Sequence, residues 1–318
     1  MISLLKNEWM KIFQKVSTYL FIVFILIAVI GTAFIEMKIN GENTNENWKE
    51  ELTTKIQENQ ETIKDENIDE AEKSMLMEEI AYDTQFLDAN MNPNLSTNWT
   101  YMADWTTLLT SFITLFVVIV CSSSVSSEFS DGTIKQLLIR PYKRWKILLS
   151  KYIVSVIYAG LLILILLASS FLIGTLLFGN GAYSDKIIDP SSFEFTPIIV
   201  GDYVVNMFVY WIPGFLVITT LAFMLSTLFK NQSIAVGISI FILFASSTLN
   251  ILIQSFVEKY QWLKFILFPH LDIRGYISES APMFEGATIG FSLSILSVYF
   301  VIFLTLTFYF FQKKDVSY

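Results

Sequence analysis

The sequence predicts an all-α polytopic membrane protein with six transmembrane helices, an amino-terminal interfacial helix and a helical extracellular insertion between the first and second spans. Three observations carry that expectation. Hydrophobic residues make up 53% of the 318-residue chain, and its mean hydropathy of +0.54 is too apolar for an ordinary soluble domain. Six uncharged runs reach 20 or more residues, the length a helix needs to cross a bilayer core of about 30 Å. The charged residues, 16% of the chain, are segregated by segment rather than spread evenly.

Residues 1–15 read as the interfacial helix. Leu5, Trp9, Ile12 and Phe13 recur at helical spacing, with Lys6, Lys11 and Lys15 mainly elsewhere, a pattern suited to a helix lying in the headgroup plane. The six spans are placed at 16–35, 105–127, 152–178, 203–229, 231–257 and 286–312. Runs such as "LFIVFILIAVI" lack the two-residue alternation of barrel strands. The first run exceeds the apolar core of about 7 to 15 residues in a signal peptide, so it is read as a retained span.

Between the first two spans, residues 36–104 hold 17 acidic and five basic residues. Trp48, Leu52, Ile56 and Ile63 mark one helical stripe, Met75, Leu76, Ile80 and Leu87 a second, and "KDENID" a turn between them. The hairpin is either a solvated cap or a recognition lid whose acidic face attracts a cationic peptide or drug. Pro213-Gly214 predicts a kink in the fourth span, assigned to packing. The segment "EKYQWLKFILFPHLDIRGYISESAPMFEG" is too charged to cross and too apolar to float, and reads as a helix at the outer interface. Its His270, the one histidine, is read as a local hydrogen-bonding residue. Asn94 and Asn98 head glycosylation sequons, to which no role is assigned.

Orientation follows from charge. An inside amino terminus places twelve basic and four acidic residues in the cytoplasm, and leaves nine basic and 25 acidic residues outside. The bias of Lys and Arg in short loops sets topology, so both termini are expected in the cytoplasm.

The loop at 126–151, "SSEFSDGTIKQLLIRPYKRWKILLSK", holds six of the 21 Lys and Arg residues. Glu128 suits a helix start, and Gly132 permits a sharp turn. Ile134, Leu137 and Leu138 then line one face of a short helix that Pro141 ends. Orientation and phospholipid contact explain the basic residues; the apolar triplet suits a groove on a partner. Within the spans, Ser and Thr are assigned mainly to packing, whereas Asn206, Asn250 and Gln254 suit either a cavity or a dimer seam. Cys121 reads as a buried inert thiol, and one cysteine with one histidine supplies neither a disulfide framework nor a metal site. The G-x-x-x-x-G-K-[ST] pattern is absent from the sequence, so no phosphate cradle of that kind is expected on this chain. Ionisable residues are absent from the spans as drawn, which argues against a proton-coupled carrier.

The loop, together with the six-span layout, the amino-terminal helix and "FPHLDIRGYI" before the last span, resembles the permease subunits of type-2 ATP-binding-cassette exporters of bacteria. That resemblance covers most of the chain, and it implies a short re-entrant or interfacial piece between the fifth and sixth spans. It implies that Glu128, Gly132, Thr133, Leu137, Leu138, Pro141 and Arg144, joined by Ile134 on the apolar face, form a coupling helix docked on a nucleotide-binding subunit. It further implies ATP and Mg on those partner ATPases with no cofactor here, a second permease as homodimer or sister subunit, lipid contacts, no nucleic acid, and a plasma-membrane location. The outer insertion, about 69 residues by the boundaries drawn, departs from the short loop of many members. The competing expectation is a non-transporting sensor or immunity protein whose acidic ectodomain binds a ligand. The topology is checked by cysteine labelling: in intact cells an impermeant reagent should modify Gln60→Cys and leave Lys143→Cys untouched, whereas the reverse pattern would overturn the six-span order.

Overall fold

The computed structural model describes residues 1–40, 47–65, 68–134, 142–188, 196–277, 284 and 286–313. Helix α1 (Ile2–Phe13) turns at Gln14 into α2 (Val16–Asn40), the first span. Helices α3 (Trp48–Thr62) and α4 (Glu70–Asp88) pack as a hairpin. The second span is α5 (Asn98–Ser123), continued after a break by the short α6 (Ser126–Ser130). The third is α7 (Arg144–Phe178), followed by a two-stranded antiparallel ribbon of β1 (Lys186–Ile188) and β2 (Pro197–Ile199). The remaining spans are α8 (Val200–Leu228), α9 (Gln232–Phe256) and α10 (Ile289–Lys313), with three short 3-10 turns between α9 and α10.

These six long helices have the length and apolarity to cross a bilayer. Their burial is unequal: most of the apolar windows of α5 and α8 is buried, 61% and 67%, against 11% for α9 and α10. The second and fourth spans therefore form the axis, and the last two present broad apolar faces outward. Lipid tails are as apolar as leucine, so close packing rather than water exclusion holds such helices together. Phe21 of α2 stacks on Phe116 of α5 at 4.4 Å, with Phe24 edge-on to the same ring. Tyr101 of α5, fully buried, donates its hydroxyl proton to the Val29 carbonyl of α2 at 2.8 Å.

The hydrogen bonds divide the bundle into two ends. At one, Ser130 Oγ joins α6 to the α8–α9 turn through the Lys230 carbonyl and the Gln232 amide, and Arg144 Nη1 joins α7 to the Gln312 carbonyl of α10. At the other, Asn98 at the start of α5 donates to Thr175 Oγ1 and Asn180 Oδ1 and accepts from the Gly181 amide. Glu36 near the end of α2 accepts there from Ser96 Oγ and Trp105 Nε1. Alternation of the spans between two ends is thus built into the contacts. Asn98 is fully buried with its amide engaged, so its sequon is structural.

Several helices start earlier than charge-free runs suggest. Thr97 caps α5, with Thr100 completing a capping box, so the helix starts at Asn98, seven residues before the first span residue drawn at Trp105. Helix α7 begins at Arg144, so residues 144–151 belong to the span helix and not to the loop. The β1–β2 ribbon is a small exception to an all-α chain. In the hairpin, Lys55 bridges Glu79 at 2.7 Å and Asp83 at 3.0 Å. Trp48, Leu52 and Leu87 pack with Phe86, whereas Met75 is exposed and takes no part in the core.

Residues 261–265 form a short 3-10 turn with Trp262 and Phe265 exposed, whereas residues 271–274 depart from the expected outer-interface helix. The Leu271 carbonyl lies against Gly214, the fifteenth of the 29 residues of α8, and Arg274 Nη1 donates to Thr110, the thirteenth of 26 in α5. The segment therefore dips to mid-helix depth. Pro213 supplies no amide donor, and Gly214 beside it leaves bare backbone where the incoming chain lies, which assigns this site to packing. A Cβ on Gly214 would overlap the Leu271 carbonyl oxygen. Gly214→Ala should therefore lower stability by about 1–3 kcal/mol, read as a depressed thermal midpoint in detergent; an unchanged midpoint would show that the segment does not seat there.

Candidate functional site at the basic end of the bundle

Lys151, eighth residue of α7, would leave an ammonium in the packed end of the bundle, where an uncompensated charge is costly. Two carboxylates meet it: Glu8 Oε2 at 2.7 Å and Glu128 Oε1 at 2.6 Å. Lys11 closes the circuit, 3.0 Å from Glu8 Oε1 and 2.7 Å from Glu128 Oε1. The result is a ring of alternating charge whose members come from α1, α6 and α7. Lys151 is 2% exposed, Glu8 and Glu128 8% and 9%, and Lys11 40%.

Electrostatics follow from the ring. Burial alone would raise the Glu8 pKa, but Lys151 and then Lys11 more than offset it and hold the carboxyl below its ordinary range. For Lys11, burial pulls down while Glu128 and Glu8 push further up. Glu8 therefore contributes stability that is present above the ordinary carboxylate pKa and is lost as pH falls through its lowered folded value. Lys11 contributes stability present below the ordinary lysine pKa and lost as pH rises through its raised folded value. Neutral pH lies between the two losses. Lys15, by contrast, is pushed down by burial and then by the positive charge of Lys151. It lines a cavity of about 600 Å³ beside the ring, together with Ser17, Ser123, Ser127, Asp131 and Gln232.

The break between α5 and α6 has its own support. Ser226 Oγ of α8 accepts from the Val125 and Ser126 amides at 2.8 and 3.0 Å, satisfying donors that the interrupted helix leaves open. Gly132 then turns the chain at φ +68°, the left-handed region that glycine enters without a Cβ penalty. Thr133 Oγ1 reaches the Glu128 carbonyl at 3.5 Å. Ile134 is buried in the main core cluster with Val125 and Leu148, because the Gly132 turn returns the chain to the bundle. In this structure Ile134 is a packing residue of its own chain, a correction to the apolar docking face. Leu137, Leu138 and Pro141 lie outside the described residues.

The intramembrane amides separate. Asn250 and Gln254 sit one turn apart on α9 and hydrogen-bond at 2.9 Å, whereas Asn206 is exposed on α8. Asn250 lines a cavity of about 410 Å³ with Ser246, Ser247, Asp272 and Arg274. Arg274 holds Asp272 bidentately, Nε to Oδ1 at 2.8 Å and Nη2 to Oδ2 at 2.5 Å. The residue pattern alone did not reveal this pair, because it placed the segment at the interface; an Asp and an Arg two positions apart within an apolar stretch were the available signal. It likewise missed Glu8 and Lys151 as partners, 143 positions apart. His270 is fully buried and bonded on both nitrogens: the Lys264 carbonyl can only accept, so Nε2 carries the proton and Nδ1 accepts from Ser292.

Residues 68–317 match a family described as "Protein of unknown function (DUF2705)". The chain is 35% identical to "Uncharacterized protein YhcI" of Bacillus subtilis (strain 168) over 323 aligned residues, covering all of both chains. It is 30% identical to "Uncharacterized membrane protein YdbK" of the same organism over 212 residues, 67% of this chain and 81% of that one. Six long apolar helices and a relative described as a membrane protein make this a multi-pass membrane protein.

The ring has a direct test. Lys151→Met leaves Glu8 and Glu128 short of a partner and should cost roughly 3–5 kcal/mol. Lys151→Met combined with Glu8→Gln restores neutrality around Lys11 and Glu128 and should cost less than the single change. Thermal unfolding in detergent reads both, and strictly additive losses would show that the four side chains do not act as one unit.

Proposed function

We propose that this chain, which belongs to the DUF2705 family, is the permease subunit of a bacterial ATP-binding-cassette exporter, forming the pathway for an unidentified substrate while ATP is hydrolysed on separate subunits. The observation that carries the reading is the ring of Glu8, Lys11, Glu128 and Lys151. A cytoplasmic ATPase must convert its own motion into motion of spans. Here the head of the basic loop is fastened to the amino-terminal helix and to the third span by charge-assisted bonds, and to the fourth span through Ser226. Force applied at the loop reaches three elements without slack.

The cavity at Asn250 supports a pathway role. An ion pair at mid-helix depth is costly in lipid and is tolerated where it faces protein or a water-filled space. Asp272 and Arg274 neutralise one another, while Ser246, Ser247 and Asn250 add uncharged polar groups to a lining that includes the apolar side chains of Phe112, Trp211 and Phe244. Such a lining suits an amphipathic cargo. The basic end faces the cytoplasm in this reading, α1 lies at the inner interface, and the hairpin α3–α4 stands outside. A second permease would cover the outward apolar faces of α9 or α10.

Purification from the native host, with co-purified ATPase subunits quantified per permease, tests the assignment. Leu137→Asp should release the ATPase and abolish export, since burying a leucine stabilises by up to about 1.5–3 kcal/mol before association costs. Lys143→Gln should change little, because its charge is screened. Full retention and export by Leu137→Asp would leave the loop as a topological anchor, and a wild-type chain that retains no ATPase would favour the sensor or immunity reading.

A further inference from the structure

At the acidic end, a cavity of about 530 Å³ lies between the hairpin, the ribbon and the tops of α5 and α8. Its lining includes an aromatic and apolar set, Tyr82 and Phe86 of α4 with Met91, Leu95 and Tyr203. The same lining carries two carboxyl groups, Asp104 and Asp185, and one ammonium, Lys186. Glu36 adds a further buried negative charge close by, bonded to Ser96 and to Trp105, the neighbour of Asp104. Asp185 is committed in part, accepting from the Ala182 amide at 2.7 Å. Asp104 has no hydrogen bond or ion pair among the described residues. Burial, followed by the charges of Asp104 and Asp83, pushes the Tyr82 phenol up.

We propose that this cavity binds an organic cation with an apolar body, the ammonium or guanidinium resting on Asp104 and Asp185 and the body against Tyr82, Phe86 and Tyr203. Three physical terms converge there. The volume falls within the range of about 300–1,000 Å³ typical of ligand pockets. Aromatic faces attract cations as well as apolar groups. The surrounding segment, with 17 acidic and five basic residues over 36–104, creates a field of one sign that concentrates cations at the mouth. Lys186 lies on the same lining and repels a bare cation, so the apolar set is what selects an amphipathic ligand over a simple metal or ammonium ion. The site uses only this chain and needs neither an ATPase nor transport, so it is independent of the exporter assignment.

Titration calorimetry on the full chain in zwitterionic nanodiscs, with no ATPase added, tests the proposal using charge-reversed pairs of probes. Tryptamine is compared with indole-3-propionate, and an amidated hexapeptide of alternating Lys and Trp with its Glu–Trp counterpart. At least one cationic probe should bind and its anionic twin should not. Asp104→Asn should weaken that binding by roughly tenfold, the loss expected for a charge-assisted contact, and rising ionic strength should weaken it further. Because Asp104 bonds to nothing among the described residues, this variant is expected to keep the wild-type thermal midpoint. Tyr82→Leu offers an independent reading, weakening the same probe through loss of the ring face. Binding of tryptamine with these dependences identifies a small-amine site, and binding of the hexapeptide alone a peptide site; either supports the proposal. Equal binding of the anionic twins, wild-type affinity in Asp104→Asn, or no binding by either cation would overturn it. Loss of ATPase co-purification in the preceding experiment would leave these outcomes unaffected.

Discussion

A lysine ammonium that is 2% exposed, two turns inside a membrane-crossing helix, is the constraint on which the basic end of this protein is built. A buried charge of that kind persists only where opposite charge and hydrogen-bond acceptors surround it. Lys151 finds them in Glu8, Glu128 and the Ser124 carbonyl. None of these is on its own helix, so satisfying one group fixes three elements at once: the amino-terminal helix, the broken end of the second span, and the third span itself. Packing of aliphatic side chains alone would leave those elements free to slide, since one leucine contact resembles another.

The same logic recurs away from water throughout the bundle. Ser226 meets the amides opened by the α5–α6 break, Asn98 ties the second span to the end of the third, and Asp272 and Arg274 satisfy each other at mid-depth. Each is a polar group whose partners come from a distant part of the chain or from a neighbouring loop residue. Between these points the helices meet through aromatic and small-residue contacts. The architecture thus combines broad, weakly directional packing with a few sharply directional fastenings.

Much of the fold was legible in the sequence because crossing a bilayer imposes a length and an apolarity that a linear scan detects. Six runs were found, and six long apolar helices stand where they were expected. Helix ends were less legible: Thr97, Asn98, Arg144, Lys146, Ser150 and Lys151 are polar, yet they continue or cap helices, since a helix does not stop where its hydrophobicity does. The candidate site was legible in part. Glu128 and Gly132 were singled out from local pattern, and the left-handed turn at Gly132 agrees with the residue type. Glu8 and Lys151 were not, because their pairing depends on three-dimensional proximity that spacing along the chain does not encode. The strands 186–188 and 197–199 were missed for the same reason, and the inward path of 271–274 was open only as one of two alternatives implied by the family resemblance: short strands and dipping loops take their form from the surfaces they meet.

The position of the Asp272–Arg274 segment has a further consequence, for the order in which the protein is made. Its seat consists of Gly214 in α8 and Thr110 in α5, both synthesised earlier. Until those helices are side by side there is no surface for residues 268–274 to occupy, and the segment has no helix of its own long enough to enter lipid unaided. The self-neutralised Asp272–Arg274 pair can therefore take this seat only where α5 and α8 have already packed side by side. The last span is tied to the same segment through His270 and Ser292, so its seating at that contact depends on the meeting of two earlier helices as well.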